Sequence, residues 1–394
     1  MDKKTMLIDK LIDVYQGEKD QIRVFASPGR VNLIGEHTDY NGGYVLPAAL
    51  DMNSYVAVRP RNDRIIRMMA TDLGYIVEVS LDDLEPAKKL KWGNYQAGVA
   101  HELMQHGYKL TGCDMICHDE VPLGSGLSSS AAIEVVTALA LLGAADTKFG
   151  TCTDIDMVEI ALIGQKSENN FVGVSCGIMD QFSSAMGKKD KVIFLDCKDL
   201  SYELIPLKMA GHKLVITNTN KKRSLGAVKY NERRSQCDLA LAILKKDLPN
   251  INFLGEVSLE DFEKYGKNIT DPILYKRARH VITEDYRVLL SVEALRKDDL
   301  TGFGELMNQS HDSLRDDYEV TGDELDALYE IALTIPGVLG SRMTGAGFGG
   351  CTVSLVKEDK IEDFTKVIKE QYKARIGYDC TVYTATIGDG GREL

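Results

Sequence analysis

The sequence predicts an α+β fold in two lobes: a mixed-sheet N-terminal domain over residues 1–205 and a helix-rich C-terminal domain over 206–394. Three observations point there. At 394 residues the chain exceeds what one ordinary hydrophobic core supports. Its first half alternates short β-rich runs with helical ones. From Tyr230 to about Pro336 it turns mainly helical, with good helix formers and sparse glycine, before a closing strand–helix–strand portion. The boundary falls near residues 200–212, where no Pro- or Gly-rich linker marks it.

The first ten residues interleave charge with apolar side chains, as a surface helix does, and contain no signal-peptide core. Runs rich in β-branched residues predict strands at Ile22–Ala26, Ser54–Arg59, Ile65–Ala70, Ile76–Leu81 and Asp114–His118. Tyr95–His106 and Ala131–Leu142 read as helices; the second is nearly all apolar and should be buried. An amphipathic helix is expected over Asp154–Phe171, then strands at Lys191–Asp196 and Lys213–Thr217. The last portion reads as a glycine loop from Gly345, strand Cys351–Val356, helix Ile361–Ile376 and strand Thr381–Thr386.

Net charge is −12, and the only basic block is Lys221-Lys222-Arg223, which argues against a nucleic-acid surface. An acidic chain binds nucleotides only through a local pocket of amides, cations or metal. No uncharged apolar run is long enough to span a bilayer, so a cytoplasmic protein without a membrane partner is expected. The eight cysteines (113, 117, 152, 176, 197, 237, 351 and 380) form no CxxC pair and read as free thiols.

Four segments carry chemistry. Ser27–Tyr40 packs an arginine, two carboxylates, a histidine and two glycines into fourteen residues. A loop that only turned would need Gly, Pro or Asn; this set suits a small polar ligand such as a sugar, or else a salt-bridge cluster at a domain edge. In Pro122-Leu-Gly-Ser-Gly-Leu-Ser-Ser-Ser-Ala-Ala-Ile133, two glycines and three serines precede an apolar helix. Free amides at that helix start make an anion site. No Lys completes a Walker A frame; serine hydroxyls could reach phosphate or magnesium instead, which three serines behind G-x-G favour over a plain Ser N-cap with a glycine turn. Thr344-Gly-Ala-Gly-Phe-Gly-Gly350 satisfies G-x-G-x-x-G but leads into a strand, which excludes a dinucleotide fold and leaves a phosphate-cleft loop or a plain hairpin turn. Gly177-Ile-Met-Asp180-Gln-Phe opens a short helix; Asp180 there is an N-cap or first-turn charge unless Arg30 comes near it.

Together these segments, with Lys229-Tyr-Asn-Glu-Arg-Arg234, resemble the GHMP small-molecule kinases, in the order that family places them. Gly29–Tyr40 is similar to the signature of the branch that phosphorylates galactose at its C1 hydroxyl. The resemblance implies the two-lobed GHMP kinase fold with a ferredoxin-like βαβ end, and ATP and Mg²⁺ as cofactors. It casts Asp180 as the base for the C1 hydroxyl. Arg30 becomes the counter-charge to Asp180 and to the moving phosphoryl group. Glu36, His37, Thr38, Asp39, Gly177 and Tyr230 would grip the sugar. Gly124, Ser125, Gly126, Leu127, Ser128, Ser129 and Ser130 would wrap the ATP phosphates, with Ser130 and Glu168 on Mg²⁺. Ala70-Thr71 stands where the family carries a serine near adenine, and Lys222 is a candidate phosphate contact or a solvated charge. Two other functions stay open: a non-catalytic galactose and ATP sensor, or a kinase for another sugar or small alcohol. The sequence fixes no oligomeric state and is compatible with a monomer.

Overall fold

The computed structural model describes residues 2–122, 124–150, 155–221 and 226–394. Leu123, Cys152, the start of the expected helix at Asp154, and Lys222 with Arg223 lie outside the described residues. In chain order the first elements are α1 (Lys3–Tyr15), β1 (Arg23–Asn32), β2 (Tyr44–Val45), β3 (Pro47–Pro60), β4 (Ile65–Ala70) and β5 (Ile76–Ser80). Then come α2 (Asn94–Gln105), β6 (Cys113–Asp119), α3 (Ser129–Phe149), α4 (Met157–Lys166), α5 (Met179–Met186), β7 (Lys191–Asp196), β8 (Tyr202–Pro206) and β9 (His212–Asn218). The helical stretch is α6 (Gly226–Leu244), α7 (Leu259–Tyr265), α8 (Pro272–Arg296), α9 (Leu300–Ser313) and α10 (Asp323–Leu333). It is followed by β10 (Val338–Thr344), β11 (Cys351–Lys357), α11 (Ile361–Ile376), β12 (Thr381–Ala385) and β13 (Arg392–Glu393).

Six strands form a mixed sheet in the order β13-β1-β3-β6-β4-β5, with β4 and β6 parallel. The order β10-β11-β9-β12, every pair antiparallel, makes a four-stranded sheet. In it β11 and β12 flank β9 and are joined by α11, the split βαβ of a ferredoxin-like unit. A three-stranded sheet, β2-β7-β8, completes the set. The end of the chain returns to the first sheet, since β13 pairs with β1 and Ile387 bridges to Leu50. One apolar cluster joins Val31, Leu46 and Leu127 to Leu214, Phe303 and Val353, so a common core underlies residues on both sides of position 206.

Three departures from the sequence reading matter for the site. Strand β1 does not stop at Ala26 but runs through Asn32, with its register slipping between Pro28 and Arg30. That irregularity accommodates the proline, which has no N–H for the ladder, and the pairing resumes at Arg30. A Cβ on Gly29 would come within 2.6 Å of the Leu127 carbonyl, so the glycine allows the strand to touch the loop that precedes α3. The helix expected to reach Phe171 is α-helical only to Lys166, begins at an Asp156 cap, and continues as a π turn over Ser167–Val172. Strands β2, β8, β10 and β13 are absent from the sequence reading; β2 and β13 are two residues long, and the glycine in Val338–Thr344 masks its period.

Helix α3 is long and apolar enough to cross a membrane by length and composition, but 78% of that window is buried inside the protein. It packs on β1 and β3 and ends at Gly150, whose left-handed backbone donates back to the Asp146 carbonyl.

Candidate active site

A cleft of about 630 Å³, within the range of small-ligand pockets, is lined from both sides of position 206. Its walls include Arg30, Glu36, His37, Asp39, Gly124, Gly126, Ser128, Ser129, Ser130, Glu168, Gly177, Asp180 and Tyr230, and it is closed by Gly345, Ala346 and Gly347. A Cβ on Gly345 would lie 2.9 Å from the Gly126 carbonyl, so the two glycine loops meet backbone to backbone.

Asp180, in the first turn of α5, sits where these segments converge. Arg30 donates to its Oδ1 from Nε (2.9 Å) and Nη2 (2.8 Å), and Ser128 Oγ donates to its Oδ2 at 2.6 Å. Nη1 of the same guanidinium donates to the Gly126 carbonyl at 2.6 Å. One cation therefore ties the Ser27–Tyr40 segment, the glycine loop before α3 and the aspartate together. Ser128, left-handed at φ 60°, occupies the N-cap of α3 without capping it, because its hydroxyl is spent on Asp180. The first amides of α3 thus have no side-chain partner from the cap, which suits an incoming anion. Ser129 Oγ turns away to Asp119 Oδ2 at 2.5 Å.

At the other end, Glu36 Oε2 lies 2.8 Å from Arg342 Nη1, with both side chains almost fully buried. Burial pushes the Glu36 carboxyl up, and the Arg342 and Arg30 cations pull it back. Arg342 also donates to the Asn32 carbonyl and to Ser310 Oγ. Ser310 in turn donates to Glu284, which accepts the Gly35 amide at 3.0 Å and Arg287 Nε at 2.7 Å. With those partners Glu284 is held down at about 2 despite its burial. His37 is pushed down to about 3, mainly by burial, and is neutral. Its Nδ1 meets the Tyr40 hydroxyl at 2.8 Å, which meets the Tyr318 hydroxyl at 2.7 Å. Tyr230 stacks obliquely on His37, with centroids 5.4 Å apart.

Asp39 is pushed up to about 7, first by burial and then by the charges of Asp180 and Glu36. Gly177 faces it so closely that a Cβ would fall 1.9 Å from Asp39 Oδ2. A raised carboxyl binds its proton more tightly folded than unfolded. Asp39 therefore contributes stability below about pH 4 that is lost as pH rises to about 7. At 1.36 kcal/mol per pKa unit, discounted because Asp39 opens onto the cleft, this amounts to about 3 kcal/mol. We expect ligand-free Asp39→Asn to lose less stability than wild type between pH 4 and pH 8 in denaturant melts. Parallel stability curves for the two proteins would contradict this.

Three residues expected to contact ligands do not face the cleft. The Thr38 hydroxyl is fully buried and shares its one hydrogen between the Gly35 and Tyr44 carbonyls, so it closes the loop on itself. Ser125 Oγ donates to the Pro122 carbonyl and braces the turn. The Leu127 side chain belongs to the core, an apolar anchor that fixes the loop from beneath. Thr71 is also elsewhere: its hydroxyl pairs with His118 Nδ1. The sequence reading missed Tyr95, Asn231, Arg342, Glu284 and Gln181. Arg342 left a trace, as a cation in a strand directly before the glycine loop. Glu284 left none, being one of many charged residues along α8.

Comparison with known proteins fits this geometry. Residues 11–60 match the galactokinase galactose-binding signature, 94–188 the GHMP kinase N-terminal domain, and 291–374 the GHMP kinase C-terminal region. A galactokinase of Clostridium acetobutylicum is 50% identical over 100% of both chains. The chain belongs to the galactokinase family. A galactokinase of Fusobacterium nucleatum is 49% identical over 98% of this chain and 97% of its own. Among solved structures, Lactococcus lactis galactokinase complexed with galactose superposes with a TM-score of 0.93 at 42% identity, covering 99% of each chain. Methanococcus jannaschii mevalonate kinase, at 19% identity and a TM-score of 0.65 over 94% of this chain and 100% of its own, shares the fold. The galactokinase signature holds Arg30, Glu36, His37 and Asp39, the residues that line one end of the cleft.

Proposed function

We propose that this chain transfers the γ-phosphoryl group of ATP to the C1 hydroxyl of galactose, giving galactose 1-phosphate and ADP. Membership in the galactokinase family supports the reaction class, and one observation carries the assignment of roles. Asp180 is hydrogen-bonded at once to Arg30 of the galactokinase signature and to Ser128 of the phosphate loop. It stands where a sugar hydroxyl and a terminal phosphate would meet.

In this reading Glu36, His37, Asp39, Gly177 and Tyr230 bind the sugar. The Asp180 carboxylate accepts the C1 hydroxyl proton as that oxygen attacks the γ-phosphorus, and the bond to the β-phosphate oxygen breaks to release ADP. Arg30, fixed on Asp180 and on the Gly126 carbonyl, faces the charge that develops between them. Gly124 and Gly126, the first amides of α3 and the Ser130 side chain accommodate the phosphates, opposite Gly345 to Gly347, while the Ser128 and Ser129 hydroxyls are held by Asp180 and Asp119.

The site also fits Mg²⁺. Glu168 is pushed up to about 7, by burial and then by the Asp180 charge, and it lines the cleft together with Ser130. Hard oxygen donors crowded by negative charge suit a divalent cation. Among the described residues no group of three His, Cys, Asp or Glu is arranged to hold a metal alone. Ser130 and Glu168 would therefore hold the ion together with nucleotide oxygens, and its charge would offset that of the phosphates.

An ADP-release assay across galactose, glucose, N-acetylgalactosamine and mevalonate tests the assignment. Galactose differs from glucose at the 4-hydroxyl alone, and a hydrogen bond to a charged group contributes roughly 1.5–3 kcal/mol. We expect at least ~10–100-fold preference for galactose over glucose in kcat/KM, narrowing sharply in Asp39→Ala. Equal turnover of both sugars by the wild type would overturn the sugar assignment.

A further inference from the structure

Directly after Asp180, Gln181 is fully buried in a place no cleft-facing role explains. Its Nε2 lies 2.8 Å from Glu168 Oε2 and 2.9 Å from Glu134 Oε2. An amide nitrogen carries two hydrogens, so each carboxylate takes one and the donor capacity is used up. The amide nitrogen is the end that faces both carboxyl groups, and a carboxylate there can only accept from it. Glu134 is itself fully buried and lies one turn beyond Ser130 on α3, so the two share a face. The Gln181 Oε1 and Glu134 Oε1 atoms have no hydrogen-bond partner among the described residues. An apolar residue at either position would avoid that cost; the arrangement keeps two polar groups buried around Glu168.

We propose that Gln181, oriented by Glu134, is a positioning residue that aims the Glu168 carboxylate at the nucleotide-bound divalent cation. The proposal rests on the functional reading above, in which Glu168 and Ser130 hold that cation. A neutral amide suits the task. It fixes the carboxylate by a hydrogen bond while leaving its full negative charge for the metal, whereas a lysine or arginine would compete with the cation for it. The π turn over Ser167–Val172 brings Glu168 into reach of α5, where Gln181 is carried.

The test is Mn²⁺ binding to the protein with saturating ADP, followed by electron paramagnetic resonance, beside calorimetry of galactose binding and thermal melts. Partners of a metal ligand commonly control 10–100-fold in metal affinity. Gln181→Met is expected to raise the Mn²⁺ half-saturation concentration by ~10–100-fold and leave galactose affinity within twofold. Glu134→Leu, which frees the amide to rotate, is expected to shift Mn²⁺ binding in the same direction by less. It carries the test alone if Gln181→Met does not fold. Glu168→Gln is the reference variant. If it weakens Mn²⁺ binding while both other variants bind as wild type does, the positioning role is overturned and the metal reading survives. If Glu168→Gln binds Mn²⁺ normally, the metal reading itself falls and takes the proposal with it. Equal losses of Mn²⁺ and galactose affinity with a lowered melting temperature would reduce Gln181 to a packing residue and overturn the proposal.

Discussion

Asp180→Asn is expected to lose ~10²–10⁴-fold in kcat while still binding galactose and ATP. The amide preserves the shape of the side chain but cannot take a proton from a sugar hydroxyl, so the loss should fall on the chemical step rather than on KM. The surrounding geometry sharpens the expectation. Asn can still accept from Ser128 or from Arg30, whose guanidinium keeps its separate bond to the Gly126 carbonyl. The phosphate loop should therefore stay in place, and crystals of the variant should show an unmoved Arg30. Steady-state kinetics beside calorimetry decide the matter: a variant with half the wild-type turnover would remove Asp180 as the base.

The second large effect is structural in origin and reaches the sugar. Arg342→Met is expected to destabilise the protein by about 3 kcal/mol and to weaken galactose binding, because removing one partner of a buried ion pair strands the other. Glu36 is the stranded group; its Oε2 is 2.8 Å from the guanidinium. The cost is held to the lower part of the 3–5 kcal/mol range because burial already pushes the Glu36 carboxyl up, and taking a proton relieves it further. Arg342→Met combined with Glu36→Gln should then recover at least half of the lost stability, read from urea midpoints, without recovering galactose affinity. If the double variant is less stable than Arg342→Met alone, the pair is not the source of the effect. The same strand, β10, carries Arg342 and then Thr344, whose hydroxyl accepts from the Asn32 amide. The sugar loop is thus fastened to the strand that leads into the second glycine loop.

The elements legible in the sequence are those with strong local signals. Strands β4 and β7 and helix α11 fall where the pattern of apolar residues places them. The buried character of α3 follows from its nearly unbroken apolar run. The cleft-lining positions were also legible, because an arginine, two carboxylates and a histidine in one glycine-flanked loop, or three serines before an apolar helix, serve no ordinary turn. Glu36, His37, Asp39, Ser128 to Ser130, Glu168, Asp180 and Tyr230 all line the cleft.

What the sequence could not decide is which way each of those side chains is turned and what stands behind it. Thr38 and Ser125 sit inside motifs yet bond to backbone carbonyls, because loops this tight must satisfy their own polar groups before they serve a ligand. Arg30 meets Asp180 across 150 residues, and Arg342 meets Glu36 across more than 300, pairings that no local period encodes. The sequence by itself determined the family and most of the residues that line the cleft, since side-chain type and short-range spacing are local properties. Tertiary packing alone decided that Asp180 joins two loops and that Glu36 and Glu168 are buried among chosen partners. It also set His37 neutral and raised Asp39, because burial and the charges of distant neighbours, not the identity of the residue, set the cost of a charge.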